Sequence, residues 1–167
     1  MKKLSLNGKW KLSGCDNKDK EISLQASVPG TVHTALIEGG LIKDPFYGNN
    51  AEELSWIECK EWVYEREFDY NLTDSTKKLE LEFKGLDTYC EIYLNNKKIA
   101  DCNNMHRTYT FDVLEYVKSG VNTLKIKFLP PACKGMPKWS RILSSRGRFR
   151  TAECIQDVCS VHMAGIG

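Results

Sequence analysis

A chain of 167 residues is long enough for one domain that buries well over half of the surface its unfolded form exposes. The formal net charge is only +2, and no apolar run approaches the length of a membrane span, which argues against a helical membrane protein. The start, MKKLSLNGKW, has two lysines but no apolar stretch behind them and is not a signal peptide, although export or a lysosomal location stays open if a leader has been removed. The seven cysteines, Cys15, Cys59, Cys90, Cys102, Cys133, Cys154 and Cys159, are odd in number and scattered. They read as reduced, partly buried thiols rather than a disulfide framework, which favours the cytoplasm.

Leu6, Trp10 and Leu12 mark a first short strand, stopped by Gly14. In SVPGTVHTALIEGGLI, Pro29-Gly30 breaks the chain and Thr31 is placed to cap a helix. Val32, Ala35 and Leu36 then repeat at helical spacing until Gly39-Gly40, predicting a short helix against a sheet edge. KDPFYGNN reads as a loop with two adjacent aromatics. From Glu61 the period falls to two. Trp62, Tyr64, Arg66, Phe68 and Tyr70 alternate with Val63, Glu65, Glu67 and Asp69, and Leu79, Leu81 and Phe83 alternate with Glu80, Glu82 and Lys84.

CEIYLNNKKIAD reads as a hairpin. Ile92 and Leu94 alternate with Glu91 and Tyr93, and Asn95-Asn96 tolerate the positive φ that a two-residue turn requires. RTYTFDV and VNTLKIKFLPP follow as strands, the latter with Leu124, Ile126 and Phe128 on one face, and LEYVKSG between them predicts a helical turn ended by Gly120. Five or six short strands with turns between them predict an all-β, antiparallel sandwich with one or two short helices. Beyond Pro130-Pro131 the periodicity weakens. RFRTAECI is a further strand candidate, and the chain ends on small residues without a closing element. Lys134, Lys138, Arg141, Arg146, Arg148 and Arg150 fall in a stretch without acidic residues, leaving 18 basic against 22 acidic residues elsewhere.

GLDTYCEIYLNNKKIADCNNMHRTYTFDVLEYVKSGVNTLKIKF resembles the first domain of glycoside hydrolase family 2 enzymes, with its GLD turn, YLNG-type hairpin, FDV strand and final LKxGxNxLxIxF pattern. VPGTVHTALIEGGLIKDPFYGNN followed by WIECKEWVYEREF is similar, more narrowly, to β-mannosidases. The resemblance covers about residues 6–130 and implies a jelly-roll, galactose-binding-domain-like sandwich. It divides the chain into a sugar-binding-type domain at 1–130 and a basic loop and truncated end of the same domain at 131–167.

The resemblance further implies a parent enzyme that hydrolyses terminal β-mannosides with retention and without a metal or other cofactor. Its two carboxyls would stand roughly 5 Å apart on a later barrel domain. No glutamate here matches those positions, so no catalytic residue is assigned and the chain alone is expected to be inactive. Its expected partners are a β-mannoside and the immunoglobulin-like and barrel domains of the parent. In β-mannosidases the domain ends in a GWDWGP-like stretch that supplies an Asp and a Trp to the sugar site. Here RFRTAECI is followed by QDVCSVHMAGIG, which has no Trp, so neither residue carries over.

Phe46, Tyr47, Asn49 and Asn50 are the candidate sugar contacts, since aromatic faces stack on pyranose C–H groups and amides bond hydroxyls. The alternative is that the aromatics cover the sandwich edge and the asparagines make the turn. Trp56 and Trp62 offer an open sugar platform or, more ordinarily, core packing. Asn104, His106 and Arg107 mark a loop in which Arg107 faces a neighbouring domain's carboxylate or simply solvent, and His33 reads as a structural histidine. Cys154, Cys159 and His162 offer three of the four ligands a structural zinc needs, so no metal is assigned. NLT at 71–73 fits the N-glycosylation sequon and equally a turn. The basic cluster has only Trp139 and Phe149 for stacking and no accompanying nucleic-acid fold signature, so nucleic acid and membrane are not expected partners. The alternative function is a freestanding carbohydrate-binding or protein-interaction module.

Overall fold

The computed structural model describes residues 2–43, 53–73, 76–130, 157–158 and 161–166. The first strands are β1 (Lys2–Ser5), β2 (Gly8–Cys15), β3 (Glu21–Val28) and β4 (Gly30–Thr31), followed by helix α1 (Val32–Glu38) and a 3₁₀ turn at Ile57–Cys59. Next come β5 (Trp62–Tyr70), β6 (Lys78–Phe83), β7 (Leu86–Asp87), β8 (Cys90–Leu94) and β9 (Lys97–Cys102). The last are β10 (Tyr109–Asp112), β11 (Gly120–Phe128), β12 (Asp157–Val158) and β13 (Val161–Ile166). One sheet runs β3-β2-β5-β11-β8-β9, a second β1-β13-β6-β10, and β4-β12-β7 form a small third ribbon. The architecture is the antiparallel sandwich that the alternation predicts.

The core follows from that alternation. Along β11, Asn122, Leu124, Ile126 and Phe128 are fully buried while Thr123, Lys125 and Lys127 are partly exposed. Ile126 and Phe128 stand opposite Tyr64 and Trp62 of β5, and the Tyr64 and Phe128 rings meet edge-on at 5.8 Å. Leu79, Leu81 and Phe83 of β6 supply the other layer. Burying each such side chain stabilises the fold by about 1.5–3 kcal/mol. Arg66 interrupts the apolar row of β5 because its Nη1 donates to the carbonyls of Leu6 at 2.8 Å and Asn7 at 2.7 Å. It ties the segment between β1 and β2 to β5, sharing the Leu6 carbonyl with the Trp10 indole N–H, which donates to it at 2.8 Å.

Helix α1 begins as expected: the Thr31 hydroxyl accepts the Thr34 N–H at 2.9 Å. Val32, Ala35 and Leu36 are buried, and the helix packs against β3. It stops at Gly39, with Gly40 at φ +69°. The β8–β9 hairpin turns through Asn95 and Asn96 at φ +51° and +65°, the left-handed pair its twist requires.

LEYVKSG makes the one turn expected, closed by the Tyr116 and Val117 N–H groups donating to Val113 O at 2.9 and 3.1 Å, before Gly120 opens β11. One expectation is corrected: the chain has a closing element, because β13 runs between β1 and β6, with Met163 opposite both Leu4 and Leu81 and fully buried. Its partners lie far away in sequence, so local pattern alone does not reveal it. The strands not read from the sequence are β1, β3, β13 and the two-residue pieces β4, β7 and β12, the last three too short to show a period. RFRTAECI and the basic cluster lie outside the described residues.

Candidate functional site

The 3₁₀ turn places Trp56 at its start, and the Trp62 indole N–H donates to the Ile57 carbonyl at 2.9 Å. The two indoles tilt at 45° with centroids 6.2 Å apart. Only Trp56 retains exposure; Trp62 is fully buried, so the two do not form an open platform. Trp62 is held in place by strand register: it is the first residue of β5, opposite Phe128.

The partly exposed Trp56 lines a groove of about 770 Å³ between the β2–β3 turn, the segment after α1 and the approach to the 3₁₀ turn. Ile22, Leu41, Ile42 and Leu54 give it an apolar floor, while Asp16, Lys20, Glu21, Lys43 and Glu53 supply charge. This size and mixture suit a small polar ligand with an apolar face. Lys43 and Glu53, the described residues on either side of 44–52, both line it.

The polar wall is held by the turn. Asp16 Oδ1 accepts the N–H groups of Lys18 at 2.8 Å and Lys20 at 2.9 Å. These bonds, that from Lys20 foremost, hold its carboxyl below the usual carboxylate range. Asp19 pairs with Lys60, tying the turn to the residue after the 3₁₀ turn and raising the lysine's pKa through their hydrogen bond. Asp16 is therefore structural, whereas Trp56 offers an aromatic face and Glu21 and Glu53 offer acceptors.

Of the expected site residues, Trp56 is in the groove, and Phe46, Tyr47, Asn49 and Asn50 lie outside the described residues, as do Trp139, Cys154 and Cys159. His33 sits half-buried on α1, and Asn71 is exposed between β5 and β6. In the β9–β10 connection, Asn104 Oδ1 accepts the His106 N–H at 2.9 Å, and the Arg107 guanidinium lies 5.6 Å over the Tyr109 ring. His162 lies in β13, and among the described residues no group of three or more His, Cys, Asp or Glu side chains is arranged to hold a metal. The sequence reading missed Ile22, Leu41, Leu54, Glu21 and Glu53, which come from three separate segments and share no motif.

Residues 10–158 match the glycosyl hydrolase 2 galactose-binding domain-like family. Over 125 residues, 74% of the chain, the sequence is 42% identical to a β-mannosidase of Rattus norvegicus. It is 37% identical over 129 residues, 77% of the chain, to a β-mannosidase of Bos taurus. The matched stretch spans only 14% of the length of each relative. Among solved structures, a β-D-mannosidase from Dictyoglomus thermophilum superposes with a TM-score of 0.76 at 31% identity, over 99% of this chain and 23% of that one. The exo-chitosanase CsxA of Amycolatopsis orientalis superposes with a TM-score of 0.72 at 17% identity, over 100% of this chain and 21% of that one, a likeness of fold alone. The chain belongs to the glycosyl hydrolase 2 galactose-binding domain-like family, and its sequence is β-mannosidase-like.

Proposed function

We propose that this chain is a non-catalytic, sugar-facing domain of a β-mannosidase-like hydrolase that removes terminal β-mannosides with retention. The observation that carries this reading is the 42% identity to the rat β-mannosidase over 74% of the chain. The acid/base and nucleophilic carboxyls, about 5 Å apart in a retaining enzyme, belong to a barrel domain beyond this sequence. This sandwich braces that barrel, together with an immunoglobulin-like domain, and completes one wall of the sugar pocket.

In this reading the groove at Trp56 is that wall. The indole stacks on the C–H face of a pyranose, Glu21 and Glu53 accept hydrogen bonds from its hydroxyls, and Phe46, Tyr47, Asn49 and Asn50 are further sugar contacts. Purified chain should release no p-nitrophenol from p-nitrophenyl β-mannoside, and detectable release would sink the non-catalytic assignment. In the complete enzyme, Trp56→Ala should raise KM roughly 3–10-fold with kcat nearly unchanged, because a stacking contact contributes about 0.5–1.5 kcal/mol. An unaltered KM would move the sugar away from the groove.

A further inference from the structure

Cys90 of β8 and Cys102 of β9 stand directly opposite one another in the hairpin register. Neither is bridged, and they are only 2% and 3% exposed. Each thiol is close enough to perturb the ionisation of the other. A directly opposed antiparallel pair has Cα atoms about 4.5 or 5.5 Å apart. Both distances fall inside the roughly 4.4–6.8 Å window of a disulfide. Beside the two cysteines opens a cleft of about 190 Å³, lined also by Tyr89, Asp101, Asn103 and Leu129. β9 is the outermost strand of its sheet, where local opening costs least.

We infer that Cys90 and Cys102 form a reversible dithiol–disulfide site whose reagent is a small-molecule disulfide of the glutathione class. Cys102 is the attacking sulfur. It sits on the outermost strand, and the Cys90 thiol beside it, then Arg107, favour its thiolate against burial and Asp101. The Cys102 sulfur opposite, and then burial, hold Cys90 protonated.

The Cys102 thiolate, its proton lost to solvent, attacks one sulfur of R–S–S–R, forming Cys102–S–S–R and expelling RS⁻. That RS⁻ takes the Cys90 proton and leaves as RSH. The Cys90 sulfur then attacks Cys102 Sγ and expels a second RS⁻, which takes a proton from solvent. Two protein thiols are oxidised by two electrons to one disulfide, and one R–S–S–R is reduced to two RSH. The product staples the outermost strand to its neighbour, and the reaction is independent of any glycosidase role.

The test uses the full chain in two forms: wild type, and a variant in which Cys15, Cys59, Cys133, Cys154 and Cys159 are serine. Both are equilibrated in glutathione buffers of rising oxidised fraction, quenched with an alkylating agent and peptide-mapped. The expected result is a Cys90–Cys102 cross-link that grows with oxidised glutathione and disappears with dithiothreitol. In the same background Cys90→Ser should trap glutathione on Cys102, while Cys102→Ser should take up roughly ten-fold less on Cys90. Alkylation of both cysteines at every ratio would overturn the site, as would wild-type cross-links that join either one to a different cysteine. Equal glutathione uptake by the two single variants would overturn the assignment of Cys102 as nucleophile.

Discussion

Asn95 Nδ2 donates to Asn122 Oδ1 at 2.8 Å, joining the turn of the β8–β9 hairpin to the start of β11. Asn122 is fully buried, yet each end of its amide is engaged. Its Oδ1 also accepts the Lys118 N–H at 2.7 Å, and its Nδ2 donates to the carbonyls of Lys118 and Gly120, both at 2.8 Å. Asn95 in turn accepts the Thr123 N–H at 3.0 Å and donates to the Tyr116 carbonyl at 2.8 Å. Asn95 and Asn122 thus form a hydrogen-bond junction that fixes where the hairpin meets the central strand. Asn122→Ala should cost about 1–3 kcal/mol, because it removes four hydrogen bonds and leaves part-buried groups of Lys118, Gly120 and Asn95 short of a partner. Urea denaturation should show a lower midpoint at an unchanged slope, and a wild-type midpoint would show that the junction is dispensable.

Gly14 lies beneath Trp62: a Cβ there would sit 2.7 Å from the indole Cζ3 and 3.0 Å from the Glu61 carbonyl. The ring has little room to retreat, being fully buried and bonded to Ile57 O. Gly14→Ala should therefore cost about 1–3 kcal/mol through overpacking. Since Trp62 packs against Trp56, the same change should disturb the groove, read as an altered near-ultraviolet circular dichroism band of the tryptophans. Unchanged stability together with an unchanged band would refute this coupling.

The Asp16 turn carries a defined pH dependence. Its folded pKa lies below the ordinary value of 3.8 because the Lys20 and Lys18 amides bond the carboxylate. A depressed folded pKa contributes stability that is complete above the unfolded value and is lost as pH falls through the folded one. Wild type should therefore melt above Asp16→Ala at neutral pH, and the gap should narrow as pH falls below 3.8. A gap independent of pH would remove the carboxylate from the turn's stabilisation.

Legibility in the sequence tracks the range of the interactions that decide each element. Helix α1 is readable because Thr31 and Gly39 bound it locally, and the hairpin because Asn95 and Asn96 suit positive φ. Strand β13 is not, since Val161–Ile166 becomes a strand by pairing with Lys2–Ser5 and Lys78–Phe83, far off in the chain. The ribbon of β4, β7 and β12 has two residues per strand, too few to establish alternation. The groove is the least readable feature. Ile22, Leu41 and Leu54 carry no common spacing, and Trp56 differs from Trp62 only in which of them the β5 register draws into the core.

The division of labour proposed for this domain is tested most directly by assaying p-nitrophenyl β-mannoside hydrolysis by two proteins side by side. One is the 167-residue chain and the other the longest product of its coding region. The account predicts p-nitrophenol release by the longer protein and none by the chain alone. Release by the chain alone would contradict it.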